Sequence, residues 1–311
     1  MATTITVAGS IGWSQAFVGF KGLAIGVGSE PAISTANIIL QTIIGPPFSW
    51  NWNRASVTFT TTAGTQDYVQ ATTGFGFIEK GSYKIPAATI TNTAATGGVA
   101  TYTSANTFKA GDLVTVTGTT NGSGVFNITN QTVATATSSQ FTVNLNASVV
   151  SAGDTGTATV GTTTEISEVF NILGTGNELG SPTKLAPQKD DNAGNITYRL
   201  LPIPDRTYTV EVIYQQRPTS LINNVSNTWA PIPDHYSYIY QWGFLALIYA
   251  YNNDSRWAQA SQKFVAGLLG AAEGLEEEEK NIFQNAWLNT ITEQQVTSAK
   301  AQQGVGSRQI E

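Results

Sequence analysis

The amino-acid sequence predicts an α+β protein, in which a helical body with β-strands carries an inserted all-β module. Three observations support this fold class. Helical patterns occur before residue 50 and after residue 234, and strand-like alternation lies between them. Residues 87–164 form a nearly uncharged stretch that is rich in Thr, Ala, Gly and Val. The length of 311 residues suffices for one large domain or two to three small ones.

The first predicted helix covers residues 30–44, and the Pro46–Pro47 pair ends it. The chain continues from that pair as PPFSWNWNR, which places Trp50, Trp52 and Arg54 close together directly after the helix. If this stretch is extended, we expect Trp50 and Trp52 to alternate faces, with one ring directed inward and the other towards a neighbour. The arginine can pair with a carboxylate or stack on an aromatic ring.

Alternation of apolar and polar residues predicts the strands. Residues 55–70 contain two such runs around an Ala-Gly turn, residues 75–85 form a further strand, and residues 207–215 another. Within residues 87–164, runs of four to seven residues alternate with turn signals such as Lys-Ala-Gly-Asp and Asn-Gly-Ser-Gly. This spacing predicts a small all-β sandwich or barrel. We expect the module to be inserted into a hairpin with the arms FIEKGSYKI and TEISEVFNI.

The last third of the chain is predicted to be helical. Asp234 is the expected N-cap of a buried helix over residues 235–251, and a second helix covers residues 257–275. A third helix follows the Glu-rich run, and residues 301–311 lack an apolar pattern and are expected to be mobile when unbound. The apolar stripe of the third helix consists of Phe283, Trp287, Leu288 and Ile291.

The composition bounds the function. Charged residues make up 12% of the chain, against roughly 25% in ordinary globular proteins. A surface rich in hydroxyls and amides is less costly to desolvate than a charged one, which favours a protein packed against neighbours. The formal net charge of −6 disfavours binding to phosphate backbones. We expect neither secretory export nor a membrane span, and without cysteine neither a disulfide nor a thiolate zinc site is expected.

No catalytic, cofactor or metal site is predicted. The single histidine, His235, lies at a helix start, where a structural role is expected. Asp190 and Asp191 fit a solvated turn, and the glutamates at residues 276–279 suit a helix N-terminus. A glycosidase would need two carboxylates across a cleft. The residues considered for such a pair are Glu165 with Glu168 or Glu79, and no local feature of the sequence tunes them for catalysis.

Several short motifs occur in a characteristic order along the chain: PFSWNWNR, GTQDY, FGFIEK, RLLPIPDRTYTVEVIYQQRP, WAPIPDHY and YAYNNDSRW. In this order the chain resembles the head-to-tail adaptor (connector) proteins of tailed bacteriophages. The resemblance covers roughly residues 30–85 and 165–270, and residues 87–164 are similar to the Ig-like or related β modules that phages insert into virion proteins. Each motif is short, so their order carries the resemblance.

The resemblance implies a structural virion protein at the head–tail interface, assembled in the host cytoplasm. It implies a dodecameric ring below the portal protein, tail or nozzle proteins underneath, and double-stranded DNA passing through the lumen without specific binding. Residues 1–86 and 165–275 then form the adaptor body, residues 87–164 the inserted module, and residues 276–311 a helix and tail that dock on the portal.

The resemblance also suggests roles for the candidate residues. The stripe of the third helix, from Phe283 to Ile291, is the expected portal-binding element. Trp50, Trp52 and Arg54 lie either at a subunit interface or in the core, and the sequence leaves both open. Two other functions also remain open. One is an adhesive tail-fibre or decoration protein whose β module binds host-surface glycans, and the other is a cell-wall hydrolase.

Overall fold

The computed structural model describes residues 3–18, 32–173, 178–222, 226–272 and 275–306. Five α-helices lie in these ranges: α1 (Val7–Val18), α2 (Ala32–Ile44), α3 (Ser237–Tyr251), α4 (Trp257–Ala271) and α5 (Glu277–Gly306). The described strands before the inserted module are β1 (Arg54–Thr60), β2 (Asp67–Ala71) and β3 (Phe75–Lys84). Those of the module are β4 (Ala88–Thr96), β5 (Val99–Thr103), β6 (Leu113–Thr117), β7 (Ile128–Ala136), β8 (Gln140–Asn144) and β9 (Val149–Val160). Those after it are β10 (Thr164–Glu168), β11 (Leu179–Gly180), β12 (Lys184–Asp190), β13 (Asn195–Leu201), β14 (Ile203–Pro204) and β15 (Thr209–Gln216).

Contacts divide the chain into two compact units. The helical unit consists of residues 1–55, 74–77 and 215–311, and the β unit of residues 56–73 and 78–214. The strands outside the inserted module belong to the same unit as the module, apart from the ends of β1, β3 and β15. This division differs from the predicted boundaries, which placed strands and helices together in one body. The assignment of an adaptor body, an inserted module and a docking segment therefore stays a prediction.

The helical unit is built around α3, whose side chains are buried on nearly every face, as predicted. Gly243 lies at the point of closest approach, because a Cβ there would meet Phe264 of α4 at 2.7 Å and Ile39 of α2 at 2.9 Å. Trp229 stacks on Tyr240 of α3 with ring centroids 4.6 Å apart. All seven tryptophans of the chain fall within this unit, so tryptophan fluorescence reports on it alone.

Two features of the helical unit differ from the sequence prediction. The helix α1 was not predicted, and much of the glycine-rich stretch that follows it lies outside the described residues. Asp234 does not cap α3, which begins at Ser237 after a 3-10 turn. Its carboxylate instead accepts hydrogen bonds from the backbone N–H groups of Thr4 and Ile5 and from the Thr4 hydroxyl. These long-range donors compete with the helix end for the carboxylate, which local sequence does not reveal.

The strands outside the module form a seven-stranded sheet in the order β1-β15-β3-β10-β12-β13-β2, and β11 pairs with β14 beside it. The predicted hairpin arms are confirmed, because β3 and β10 pair antiparallel with Ile166 opposite Gly81. In contrast, β1 and β2 are edge strands and do not form a hairpin across the Ala-Gly turn. Phe59 of β1 stacks on Tyr68 of β2 at 5.2 Å, so the two edges are joined by side chains.

The inserted module is a closed antiparallel barrel in the order β4-β5-β8-β7-β6-β9. The barrel prediction is therefore confirmed, and the Ig-like two-sheet sandwich is wrong. Closure depends on β4 and β9, which pair with each other and with one further neighbour each. The pairing of β4 with β9 is interrupted by register shifts, and such bulges bend strands and allow a sheet to close.

A caged carboxylate lies at one end of the barrel. Asp154 accepts hydrogen bonds from the backbone N–H groups of Thr120 and Thr155, both at 2.8 Å, and from the Thr93 hydroxyl at 2.9 Å. Burial alone would raise the pKa of Asp154, but these hydrogen bonds and one from Asn121 together hold it below its ordinary value. The ionised form is thus the one that the barrel stabilises.

We expect Asp154→Asn to lower the free energy of unfolding of the β unit at neutral pH by about 1–3 kcal/mol, because an amide accepts fewer of these hydrogen bonds. A depressed pKa contributes stability above the ordinary carboxyl pKa of about 4, and this contribution is lost as the pH falls through the folded-state value. The difference between wild type and variant should therefore shrink between pH 7 and pH 3 in urea unfolding. A difference that does not change with pH would contradict the role of the ionised cage.

A charge network holds the barrel against the sheet within the β unit. Arg206, between β14 and β15, binds both carboxylate oxygens of Asp112, between β5 and β6, at 2.5 and 3.1 Å. Both side chains are largely buried, with 13% and 14% exposed. Beside them, Lys109 pairs with Asp205, which also accepts a hydrogen bond from the Tyr208 hydroxyl at 2.6 Å. The barrel is thus held at a point other than its two chain connections.

Candidate interaction surfaces

The two tryptophans after α2 stack on each other. Their ring centroids are 5.4 Å apart and the ring planes differ by 24°. The expectation that the two rings face opposite ways is wrong, since residues two apart share a face even in an extended chain. The segment is not extended either, because Asn51–Asn53 forms a 3-10 turn, and both rings lie on the same side of it. Tyr236 completes the cluster, at 5.6 Å from Trp50 and 6.2 Å from Trp52.

Trp50 belongs to the core of the helical unit, with 4% of its surface exposed. Its indole N–H donates to the carbonyl of Ile43 at 2.6 Å, and its ring stacks near Phe48. The side-chain amide of Gln215 binds both the backbone N–H and the carbonyl of Trp50. The segment is therefore fixed to the end of α2 and to β15, which supports the core alternative for this residue.

Trp52 and Arg54 are less enclosed. Trp52 is half-buried at the edge of the core, and its indole N–H has no hydrogen-bond partner among the described residues. Arg54 begins β1 with an exposed side chain. A contact of these two residues with a neighbouring subunit stays a prediction.

The stripe on α5 is largely covered within the chain. Phe283, Trp287 and Ile291 are buried in the helical core, where Phe283 meets Phe48 at 4.9 Å. Trp287 packs on Phe264 at 4.5 Å and donates its indole N–H to the Ser261 hydroxyl. Portal binding through this stripe stays a prediction. The structure shows that three of the four stripe residues are already covered by the core of their own chain.

One stripe residue remains accessible, and it borders a groove. Leu288 is 47% exposed. Together with Trp257, Val265 and Leu269 it lines an apolar groove of about 490 Å³ between α4 and α5. The polar lining side chains include Gln262 and Gln284, and none of the lining residues is charged. The sequence prediction missed this groove, because it depends on how far apart two helices lie.

The residues considered for catalysis have structural surroundings. His235 is exposed in the 3-10 turn before α3 and lies against Tyr236. Asp191 accepts hydrogen bonds from Ala193 and Asn195 in the β12–β13 turn, and the bond from the Asn195 side chain lowers its pKa most. Asp190 accepts a hydrogen bond in the same turn.

The glutamates before α5 act at the helix start. The Glu279 carboxylate accepts a hydrogen bond from the backbone N–H of Glu276 at 2.9 Å, which is half of a capping box. Glu277 pairs with Lys280 one turn along. Glu165 and Glu168 lie on β10 and Glu79 on β3. Within the described ranges, no group of three or more His, Cys, Asp or Glu side chains is arranged to hold a metal ion.

Comparison with known proteins identifies the family. The sequence model of the SU10 adaptor protein family matches residues 39–286, which is more than half of the chain. The chain belongs to this family of phage head-to-tail adaptors. The SU10 adaptor match confirms the resemblance to connector proteins and indicates a structural virion component. No curated protein matches the chain.

The SU10 adaptor match spans the whole barrel as well as the helices α3 and α4. It also includes Trp50, Trp52 and Arg54, and of the stripe it includes Phe283 alone. None of the helices in the described part of the chain has both the length and the hydropathy that a membrane crossing requires.

Proposed function

We propose that this adaptor forms a dodecameric ring below the portal and joins the portal to tail or nozzle proteins. The DNA passes through the lumen of this ring. Membership of the SU10 adaptor family supports the position in the virion. The low fraction of charged residues, 12%, supports extensive packing against neighbours, and the net charge of −6 suits a passage that does not bind DNA tightly.

The length of α5 and the anchoring of its first half support the proposal that this helix docks on the portal. This helix has 30 residues, and its first half is anchored in the helical core by Phe283, Trp287 and Ile291. From Ile291 to Gly306 the helix continues for about 22 Å at 1.5 Å per residue. An anchored half and a long continuation form an arm, and we assign portal contact to that continuation rather than to the buried stripe. Residues 307–311 of the predicted mobile tail lie outside the described residues.

In a ring, weak contacts between neighbouring subunits are sufficient for assembly. Each subunit repeats the same contact with its neighbour, and the contacts add up when the ring closes. A portal that is already a ring presents all docking sites together, so adaptor subunits bind next to one another at high effective concentration. We therefore expect the free chain to be monomeric.

Light-scattering chromatography of the chain, alone and with its portal ring, tests this function. We expect a monomer alone and one adaptor subunit per portal subunit in the mixture. A chain that does not associate with the portal, or that forms a stable trimer by itself, would instead indicate a fibre or adhesive protein.

Removal of residues 293–311 is expected to leave the helical unit folded and to weaken portal binding by about tenfold or more, since one fixed helix carries a large share of the contact. Unchanged tryptophan fluorescence would show that the unit is folded. A cut after Leu275 is not a suitable control for docking, because it also removes Phe283, Trp287 and Ile291 from the core. Wild-type portal binding by the shorter chain would refute docking through the end of α5.

A further inference from the structure

The β unit presents large apolar side chains to solvent at one loop. In the segment after β10, here called the apolar loop (residues 169–173), Phe170 is 95% exposed and Leu173 is 87% exposed. Leu179, one residue after the described chain resumes at Glu178, is also exposed. Single exposed apolar residues are ordinary, but neighbouring large ones in one loop mark an interaction site.

The backbone of the apolar loop is fixed. The N–H of Val169 donates to the carbonyl of Leu185 at 2.9 Å, and the carbonyl of Ile172 accepts a hydrogen bond from Arg199 at 3.2 Å. Ile172 itself is buried and anchors the loop. Arg199 is in turn held by both oxygens of Asp67. Because hydrogen bonds already hold the backbone at Val169 and Ile172, a partner that covers Phe170 and Leu173 has less backbone to order.

The helical unit offers a surface of matching chemistry. The groove between α4 and α5 is apolar, and no charged side chain lines it. Its volume of about 490 Å³ lies within the range, on the order of 300–1,000 Å³, of sites that enclose small organic ligands. A phenyl ring and an isobutyl group therefore fit within it.

The net charge of the chain favours an uncharged contact between two copies at the groove. Two copies with a net charge of −6 repel each other, and burying a charged group at their contact would add a desolvation cost. Phe170, Leu173 and the groove lining are all uncharged, so a contact between them avoids both costs. A projection on one copy and a groove on the next make a heterologous contact, which is the type that closes into rings.

We propose that Phe170 and Leu173 of one copy insert into the α4–α5 groove of the neighbouring copy. This inference rests on the proposed ring and names the contact that builds it. The same surfaces exist once on every copy, so each subunit is both donor and acceptor of the projection.

The absence of cysteine from the chain permits a direct test. Virions that carry the double variant Asn171→Cys, Ala266→Cys are treated with a short bismaleimide. Asn171 is exposed in the apolar loop, so its replacement leaves Phe170 and Leu173 in place, and Ala266 lines the groove. Contacts between neighbours give a ladder of dimers, trimers and larger multimers on denaturing gels. The matched control is Val150→Cys with Ala266→Cys, because Val150 is an apolar residue of the barrel that is 87% exposed. We expect about tenfold less of the ladder with this control, as Val150 lies outside the proposed contact.

The outcomes separate the proposed contact between copies from the proposed adaptor function. Dimers formed by Asn171→Cys alone, a cross-link to a different virion protein, or no ladder would overturn the contact. Absence of the wild-type chain from the head–tail interface, seen by antibody labelling of virions, would overturn the adaptor position itself. In addition, Phe170→Ser should raise the concentration needed for self-association on the portal about thirtyfold. Wild-type assembly by that variant would also overturn the contact.

Discussion

Replacement of Trp50 by alanine is expected to lower the free energy of unfolding of the helical unit by about 3–5 kcal/mol. The indole is buried between Phe48, Trp52 and Tyr236, so its removal leaves a cavity that these rings cannot easily fill. It also removes the hydrogen bond to the carbonyl of Ile43, which lies in the last turn of α2. Urea unfolding followed by tryptophan fluorescence measures this effect, because the remaining tryptophans all lie in the same unit.

Trp52→Ala is the matched control for that experiment. The residue type is the same and the two rings are in contact, but Trp52 is half-buried and its indole N–H binds no described residue. We expect a loss of about 1–2 kcal/mol, because less apolar surface leaves water on folding at this position. Equal effects of the two substitutions would contradict the assignment of Trp50 to the core and of Trp52 to its edge.

The elements that could be predicted from the sequence are those with a strong local period. The helix α3 is apolar on nearly every face, and α5 begins directly after an acidic run. Strand β15 alternates in its burial over its first residues. The hairpin of β3 and β10 was also predictable, because two strands of related composition flank a segment of very different composition. In each case the information lies within one element or at its boundaries.

The arrangement of elements could not be predicted in the same way. The separation of β1 and β2 depends on five intervening strands from distant parts of the chain. The stacking of Trp50 on Trp52 depends on one short 3-10 turn, which the periodicity of the sequence does not predict. The stripe on α5 identified Phe283, Trp287 and Ile291 as residues that must be covered, but a sequence does not say whether the cover comes from the same chain.

The candidate interaction surfaces also depend on the arrangement of elements, so the sequence did not predict them. Residues 164–172 predicted a hairpin arm, yet the strand ends at Glu168 and the next residues form the apolar loop. Exposure of Phe170 became visible only when the neighbouring strands were placed. The groove is similar, since Val265 and Leu269 look like ordinary core positions of an amphipathic helix until the distance between α4 and α5 is known.

Arg206→Met is expected to lower the free energy of unfolding of the β unit by about 3–5 kcal/mol, because the largely buried Asp112 carboxylate would lose its cationic partner. Methionine retains the apolar stem, so the loss reports the guanidinium group, with its charge and its hydrogen bonds to Asp112 and Tyr208. The comparison is Lys109→Met, which breaks the neighbouring pair with Asp205. Lys109 is 45% exposed, so we expect a loss of about 0–1 kcal/mol there.

A double variant separates the pairing of charges from packing. Arg206→Met with Asp112→Leu removes both buried charges, and we expect it to be more stable than Arg206→Met alone, since no uncompensated carboxylate remains. Urea unfolding gives the stabilities, and amide hydrogen exchange in the β5–β6 and β14–β15 loops shows whether the barrel is still held against the sheet. Faster exchange in both loops of the double variant, at near-normal stability, would mean that the charges position the barrel. If the double variant is less stable than Arg206→Met alone, the network does not act as a mutually compensating pair.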